Sequence, residues 1–205
     1  MIPLFLSSAL AAPAPVTGLG LGLAGSGEAV MQGGLVDAYP KLSGSFSGEA
    51  LVTASLRWPV EVGLEVGYRR LSGTNHADES SWIWYAPVSL LVSGRLDMGA
   101  VTLLGGAGPA LVTWQEKSSS MAVSGRQDWG ARWGALVEAS GRYHTPWLRP
   151  AYPGAGGPAG LDLFASVGAR FSDVADSAAS ASCHEDVCGF DWSAIRLSGG
   201  VLVRF

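Results

Sequence analysis

Hydrophobic and polar residues alternate at period two along most of this chain, and the 3.6-residue period of an amphipathic helix is nearly absent. The alternation falls into eight segments. In 16–25, Leu19, Leu21 and Leu23 alternate with Gly18, Gly20, Gly22 and Ala24. In 46–57, Ala50, Val52, Ala54 and Leu56 share one face, and Glu49, Leu51, Thr53, Ser55 and Arg57 share the other. The most regular segment is 60–70, where Val60, Val62, Leu64, Val66 and Tyr68 alternate with Glu61, Gly63, Glu65, Gly67 and Arg69. Segment 81–93 carries Trp82, Trp84, Ala86, Val88, Leu90 and Val92 on one face. Segment 100–114 is apolar on both faces, which leaves its register open. In 131–143, Ala131, Trp133, Ala135, Val137, Ala139 and Tyr143 oppose Arg132, Gly134, Glu138, Ser140 and Arg142. In 161–171, Leu161, Leu163, Ala165, Val167, Ala169 and Phe171 oppose Asp162, Ser166, Gly168 and Arg170. The last segment, 193–205, sets Leu197, Val201, Val203 and Phe205 against Arg196, Ser198, Gly200, Leu202 and Arg204.

The pattern predicts eight β-strands. The first, third, fifth and seventh connections are long and polar. The second ("RWPVE") and fourth ("GRLDMG", 94–99) are tight, with Pro59 unable to donate to a ladder. The sixth, "HTPWLRPAYPGAGGPAG" (144–160), holds four prolines and cannot be a central strand. No helix is available to cross between parallel strands, so sequential neighbours are expected to pair antiparallel.

Each strand has one continuous apolar face and one face of Gly, Ser, Arg and Glu. In a soluble barrel the apolar face would point inward, but an eight-stranded interior is only wide enough for side chains to fill. All the Trp, Leu and Val side chains would overfill it. Inversion resolves this: the bulky apolar residues face lipid, and the small or charged ones share a narrow lumen. Packing of the aromatics in a β-sandwich core is the competing reading, since sandwich strands also alternate. With the N-terminus periplasmic, Phe46, Tyr68, Trp82, Trp84, Trp114, Trp133 and Phe171 fall near the outer rim. Trp58, Tyr143, Trp147 and Phe205 fall near the inner one. Two such girdles are the mark of a transmembrane barrel.

Composition fits this reading. The 205 residues are 48% apolar and only 15% charged, with 29 Gly and 8 Trp. Disorder requires the opposite balance, and the glycines lack a collagen period. A net charge of −4 gives no reason to expect a nucleic-acid partner. No run approaches the roughly 20 apolar residues of a membrane helix. The opening "MIPLFLSSALAAPAP" resembles the apolar part of a secretory signal, with Ala9 and Ala11 suited to A-x-A cleavage and without the usual basic start. The expected organisation is a signal peptide or apolar tail over 1–14 and an outer-membrane barrel over 15–205.

At these residues the chain resembles the small eight-stranded outer-membrane β-barrel proteins of the OmpA/OmpX-like type, in which the last strand carries a polar residue, a Gly and two hydrophobics ending on an aromatic. Here these are Ser198, Gly200, Val203 and Phe205. The resemblance implies that they form the signal read by the outer-membrane assembly machinery in a Gram-negative cell. It covers the barrel plan of 16–205 but not the loop sequences, and the sixth connection exceeds the group's usual periplasmic turn.

Candidate chemistry is sparse. The lumen is expected to hold Arg57, Glu61, Glu65, Arg69, Arg132, Glu138, Arg142, Asp162, Arg170, Arg196 and Arg204, with Glu49. Buried charges persist only when paired and hydrogen-bonded. The expected arrangement is a plug of salt bridges, with a gated ion path as the alternative. The four long loops, as bounded by this pattern, carry eleven acids against Lys41, Lys117 and Arg126. They could hold Ca²⁺ or Mg²⁺ through oxygen ligands, but more simply are solvated. In "CHEDVC" (183–188), Cys183 and Cys188 suggest a disulfide in an exported protein. A metal site of Cys183, His184, Asp186 and Cys188 is disfavoured, because four ligands in six residues struggle to reach tetrahedral geometry. His76, Asp78 and Ser80 or Ser81, with His184, are the only candidates for a rim enzyme, while His144 lies at the opposite rim. No catalytic residue, metal or cofactor is assigned. The function expected is structural or interactive: a monomeric barrel in outer-membrane lipid and lipopolysaccharide, with four loops at the cell surface open to an extracellular ligand. A small pore or transporter comes next, and a rim enzyme acting on lipid or peptide third.

Overall fold

The computed structural model describes residues 16–30, 47–56, 58–74, 80–118, 127–147, 160–171 and 193–205. They form eight strands: β1 (Val16–Val30), β2 (Ser47–Leu56), β3 (Val60–Thr74), β4 (Ser80–Met98), β5 (Val101–Ser118), β6 (Gln127–His144), β7 (Gly160–Phe171) and β8 (Ala194–Arg204). Each pairs antiparallel with its sequence neighbours, and β8 returns to β1, so the sheet closes into a barrel. Closure satisfies every strand edge, which an open sheet in hydrocarbon could not do. At the seam, Phe205 N donates to Leu19 O at 2.8 Å and Leu19 N donates to Phe205 O at 3.3 Å.

The side-chain parity predicted for seven strands is the one observed. Glu49, Leu51 and Thr53 of β2, Glu61, Glu65 and Arg69 of β3, and Arg196, Ser198 and Leu202 of β8 are buried. Val52, Leu64, Val66, Val92, Val137, Val167 and Leu197, on the opposite faces, are exposed. β5, whose register the pattern leaves open, points Thr102, Leu104, Ala110, Val112 and Trp114 inward. This corrects the placing of Trp114 in the outer girdle: it lies at that level but faces the interior. Its cross-strand partner is Gly130, and a Cβ there would stand 2.6 Å from the indole ring. The lumen is also less purely polar than expected. Leu51, Leu91, Leu104, Leu136 and Leu202 share it with the charges.

Several strands run further than the sequence pattern: β3 continues to Thr74, β5 to Ser118, and β6 starts at Gln127; two further differences bear on the interior. β1 continues through Val30, bringing Glu28 opposite Arg196. The turn expected over 94–99 is strand as far as Met98, which pairs with Val101, and only Gly99 and Ala100 turn the chain. Gly99 has φ of 72°, in the left-handed region that favours glycine. Arg95 and Asp97 mimic a polar turn in sequence, yet they alternate with the exposed Leu96 and Met98 and continue the lumen face.

The turns at Trp58–Pro59 and Gly99–Ala100 mark one end of the barrel, the turn end. The opposite loop end leads into 31–46, 75–79, 119–126 and 172–192. Trp58, just before β3, and Tyr68 on β3 are ten residues apart, as are Tyr143 and Trp133 on β6; all four are exposed. At about 3.4 Å per residue and a tilt near 45°, ten residues span about 24 Å of height. That matches the roughly 25 Å apolar band of an outer-membrane barrel. β4, β5 and β6, at 19, 18 and 18 residues, exceed what crossing requires. Their excess forms a ledge at the loop end, where Arg70 stacks over Trp84 at 5.7 Å.

Val137→Arg, midway between the β6 aromatics, is expected to cost about 2–4 kcal/mol of unfolding free energy in lipid vesicles. Denaturant titration of the reconstituted protein measures this. An unchanged midpoint would place Val137 outside the hydrocarbon.

Candidate functional site: the charged interior

Three interior groups run from the loop end to the turn end. The first is a continuous chain of alternating charges. Glu28 forms ion pairs with Arg69 Nη1 at 2.8 Å and Arg170 Nη2 at 2.7 Å. Tyr85 donates its hydroxyl to the same carboxylate at 2.5 Å, and its ring lies between the two guanidinium groups, 5.9 Å from Arg69 and 5.8 Å from Arg170. Arg69 Nη2 continues to Glu49 at 2.6 Å. Glu49 also accepts from Ser26 at 2.8 Å and Ser198 at 3.0 Å, and pairs with Arg196 at 3.3 Å. Arg196 then reaches Glu65 at 2.8 Å and bonds Glu138. Three arginines and four glutamates on β1, β2, β3, β6, β7 and β8 are thus joined across the lumen. The extra carboxylate is offset by hydroxyl donors, as a low-dielectric site requires.

Near the turn end stands a separate ion pair, whose Glu61 also accepts from Ser55 Oγ at 3.3 Å. Arg142 binds Glu61 through both Nη groups, at 2.7 and 2.5 Å, in the bidentate geometry of a strong charge-assisted contact. Beyond it a vestibule of about 450 Å³ opens at the turn end. Its wall carries a polar chain across five consecutive strands. Arg95 Nε pairs with Asp97 at 3.1 Å, and Thr102 donates to Asp97 at 2.7 Å. His144 Nε2 lies 2.8 Å from the Thr102 hydroxyl, and its Nδ1 lies 2.9 Å from Asp162. Arg204 Nε closes the chain onto Asp162 at 2.8 Å. Deeper in, a void of about 20 Å³ lies among Leu51, Leu91, Leu104, Phe164 and the Arg142–Glu61 pair.

The residues expected in the lumen therefore separate. Arg69, Glu65, Glu138, Arg170 and Arg196 join the central chain, Glu61 and Arg142 form their own pair, and Asp162 and Arg204 belong to the vestibule. Arg132 is half-buried on β6 and makes an interaction of its own. Arg57 lies outside the described residues, as do Cys183, His184, Asp186, Cys188, His76 and Asp78. Sequence reasoning missed Glu28, Tyr85 and the His144 chain. Glu28 follows "GSG", which reads as a loop, although Ser26 and Glu28 keep the lumen parity of Gly20 and Gly22. Tyr85 sits among tryptophans but on the opposite parity, with Ile83. In the proposed assembly signal, Ser198 is the donor to Glu49, and Gly200 lies against Leu23 O so closely that a Cβ would collide. Val203 is half-exposed and Phe205 is exposed at the rim.

The sequence matches no family model and no curated protein. The fold does match solved structures. Neisserial surface protein A superposes with a TM-score of 0.55 at 13% identity, over 91% of this chain and 97% of that one. A major outer membrane protein from Thermus thermophilus gives 0.58 at 16%, over 92% and 99%. Ail, the attachment invasion locus protein of Yersinia pestis, in complex with the heparin analogue sucrose octasulfate, gives 0.50 at 12%, over 92% and 97%. The fold is that of the small eight-stranded outer-membrane barrels.

Truncation of either partner in the Arg142–Glu61 pair, as Arg142→Met or Glu61→Leu, is expected to cost about 3–5 kcal/mol, because it strands a buried charge. The double variant should recover most of that loss. A double-mutant cycle by chemical denaturation measures the coupling, and additive losses would show that the two groups do not compensate each other.

Proposed function

We propose that the protein is an integral barrel of the bacterial outer membrane with a structural and surface-interactive role, its lumen closed by the Arg/Glu chain and its long loops at the cell surface. One observation carries this reading: exposed apolar faces surround a buried, mutually neutralised charged interior. Short turns belong on the periplasmic side of such barrels and long loops outside, so the vestibule faces the periplasm. The leucines between the charges and the small void behind Arg142 support a closed lumen over a gated path. Ser198, Gly200, Val203 and Phe205 serve as the assembly signal.

The loop segments outside the described strands bear on the surface partner. They hold Asp37, Asp78, Glu79, Asp173, Asp176, Glu185, Asp186 and Asp191 against Lys41 and Arg126. Ail binds a sulfated heparin analogue on this fold, but a strongly acidic loop surface repels a polyanion. It suits a cationic partner, or a divalent cation bridging to the phosphates of lipopolysaccharide.

In planar bilayers the protein is expected to give no persistent conductance steps. Removing the hub together with its partners, as Arg196→Ala with Glu65→Ala and Glu138→Ala, should open a small one. Stepwise conductance of the unmodified protein would favour the pore instead. In cells, Phe205→Ala is expected to lower outer-membrane levels sharply while barely changing refolding in detergent. Quantitative immunoblots of membrane fractions beside refolding yields separate a sorting role from a packing role. An equal defect in both would leave Phe205 as a packing residue only.

A further inference from the structure

The vestibule contains two guanidinium groups that each contact a carboxylate through Nε alone. Arg95 on β4 and Arg204 on β8 are each anchored by a carboxylate through Nε, Arg95 by Asp97 and Arg204 by Asp162. Their Nη nitrogens make no hydrogen bond or ion pair with any described residue, and both arginines line the cavity. In an eight-membered ring β4 and β8 stand on opposite walls. Arg142, the third arginine lining the cavity, is spent in its bidentate pair with Glu61.

An ion pair at Nε leaves the Nη edge, which carries donors only, available. That edge matches the paired oxygens of a carboxylate or phosphate. The Asp97–Thr102–His144–Asp162 chain ties the two carboxylates into one hydrogen-bonded wall, and each guanidinium contacts that wall through an ion pair. The cavity volume lies within the usual range of small-ligand sites. Below it, among the Arg142–Glu61 pair and the leucines, the interior space narrows to a void of about 20 Å³.

We propose that the turn-end vestibule is a binding site for a small oxyanion, the carboxylate or phosphate group of a solute, held between the Nη groups of Arg95 and Arg204. The site is independent of whether the lumen conducts, and its test does not use conductance.

The test uses the full chain, refolded in detergent and titrated calorimetrically with inorganic phosphate and, separately, with citrate, at ionic strength held constant with chloride. Saturable single-site binding of at least one probe is expected. Binding of phosphate alone identifies phosphate esters as the solute class, and binding of citrate alone identifies organic or peptide carboxylates. Arg95→Gln and Arg204→Gln should each weaken binding about tenfold or more, the usual loss of a charge-assisted contact. Arg70→Gln, at the opposite end of the barrel, should leave it unchanged. A second readout needs no variant: phenylglyoxal modification of Arg95 and Arg204, followed by mass spectrometry, should slow in the presence of the bound probe. The proposal is overturned if neither probe binds saturably. It is also overturned if Arg70→Gln weakens binding as much as the vestibule variants do, or if the modification rates of Arg95 and Arg204 ignore the probe.

Discussion

Ionised side chains inside a ring of eight strands have almost no water to share, and this constraint orders the rest of the molecule. The interior is wide enough for side chains and little more. An unpaired guanidinium or carboxylate there would cost several kcal/mol. The arginines and glutamates therefore interlock: Glu28 takes two arginines and a tyrosine, Arg196 takes three glutamates, and Glu49 joins the two halves. Partners come from six strands, so the network also pins the relative register of strands that share no backbone ladder. Buried ion pairs are weak evidence for net stability. Here their clearer consequence is specificity of arrangement, because a slip of one residue would turn every charge outward into the apolar band.

The outer surface is the complement of that interior. Residues that would form the core of a soluble protein are 40% or more exposed along the barrel, among them Leu23, Val52, Val92, Val137 and Leu197. A contiguous exposed apolar surface of this extent has no counterpart on a soluble monomer. It is bounded above and below by aromatics, at a spacing that matches one bilayer leaf-to-leaf crossing by tilted strands. Beyond the upper girdle β4–β6 continue as a ledge, and beyond the lower one the lumen widens into the vestibule. The two ends thus differ in chemistry: the loop end carries aromatic residues and leads into segments of acidic sequence, and the turn end presents a pocket edged by arginine.

Much of the fold was legible in the sequence because period two fixes which face each side chain takes. Glu65, Arg69, Arg142, Asp162 and Arg196 are interior for the same reason that Leu64, Val137 and Val167 are exterior. What failed to show was where alternation is masked. In β5 both parities are apolar, and nothing local shows that Trp114 turns inward, where it takes the space left by Gly130. Glu28 lay behind a Gly–Ser–Gly stretch that imitates a loop, and Arg95 and Asp97 imitated a turn. The vestibule chain was invisible for a different reason. His144, Thr102, Asp97 and Asp162 are brought together by ladder register between distant segments, and no local spacing encodes that.

The central claim is the inverted polarity of the barrel, and accessibility of spin labels measures it most directly. Single cysteines at Val52, Leu64, Val92, Val137, Val167 and Val201, in a background lacking Cys183 and Cys188, would be labelled and reconstituted into phospholipid bilayers. Electron paramagnetic resonance then compares collision with oxygen, which concentrates in lipid, and with a water-soluble nickel complex. All six positions, drawn from six strands, should show high oxygen and low nickel accessibility. High nickel accessibility at these positions, or immobilised labels shielded from both reagents, would mean that the apolar faces meet water or pack inside, and would contradict the account.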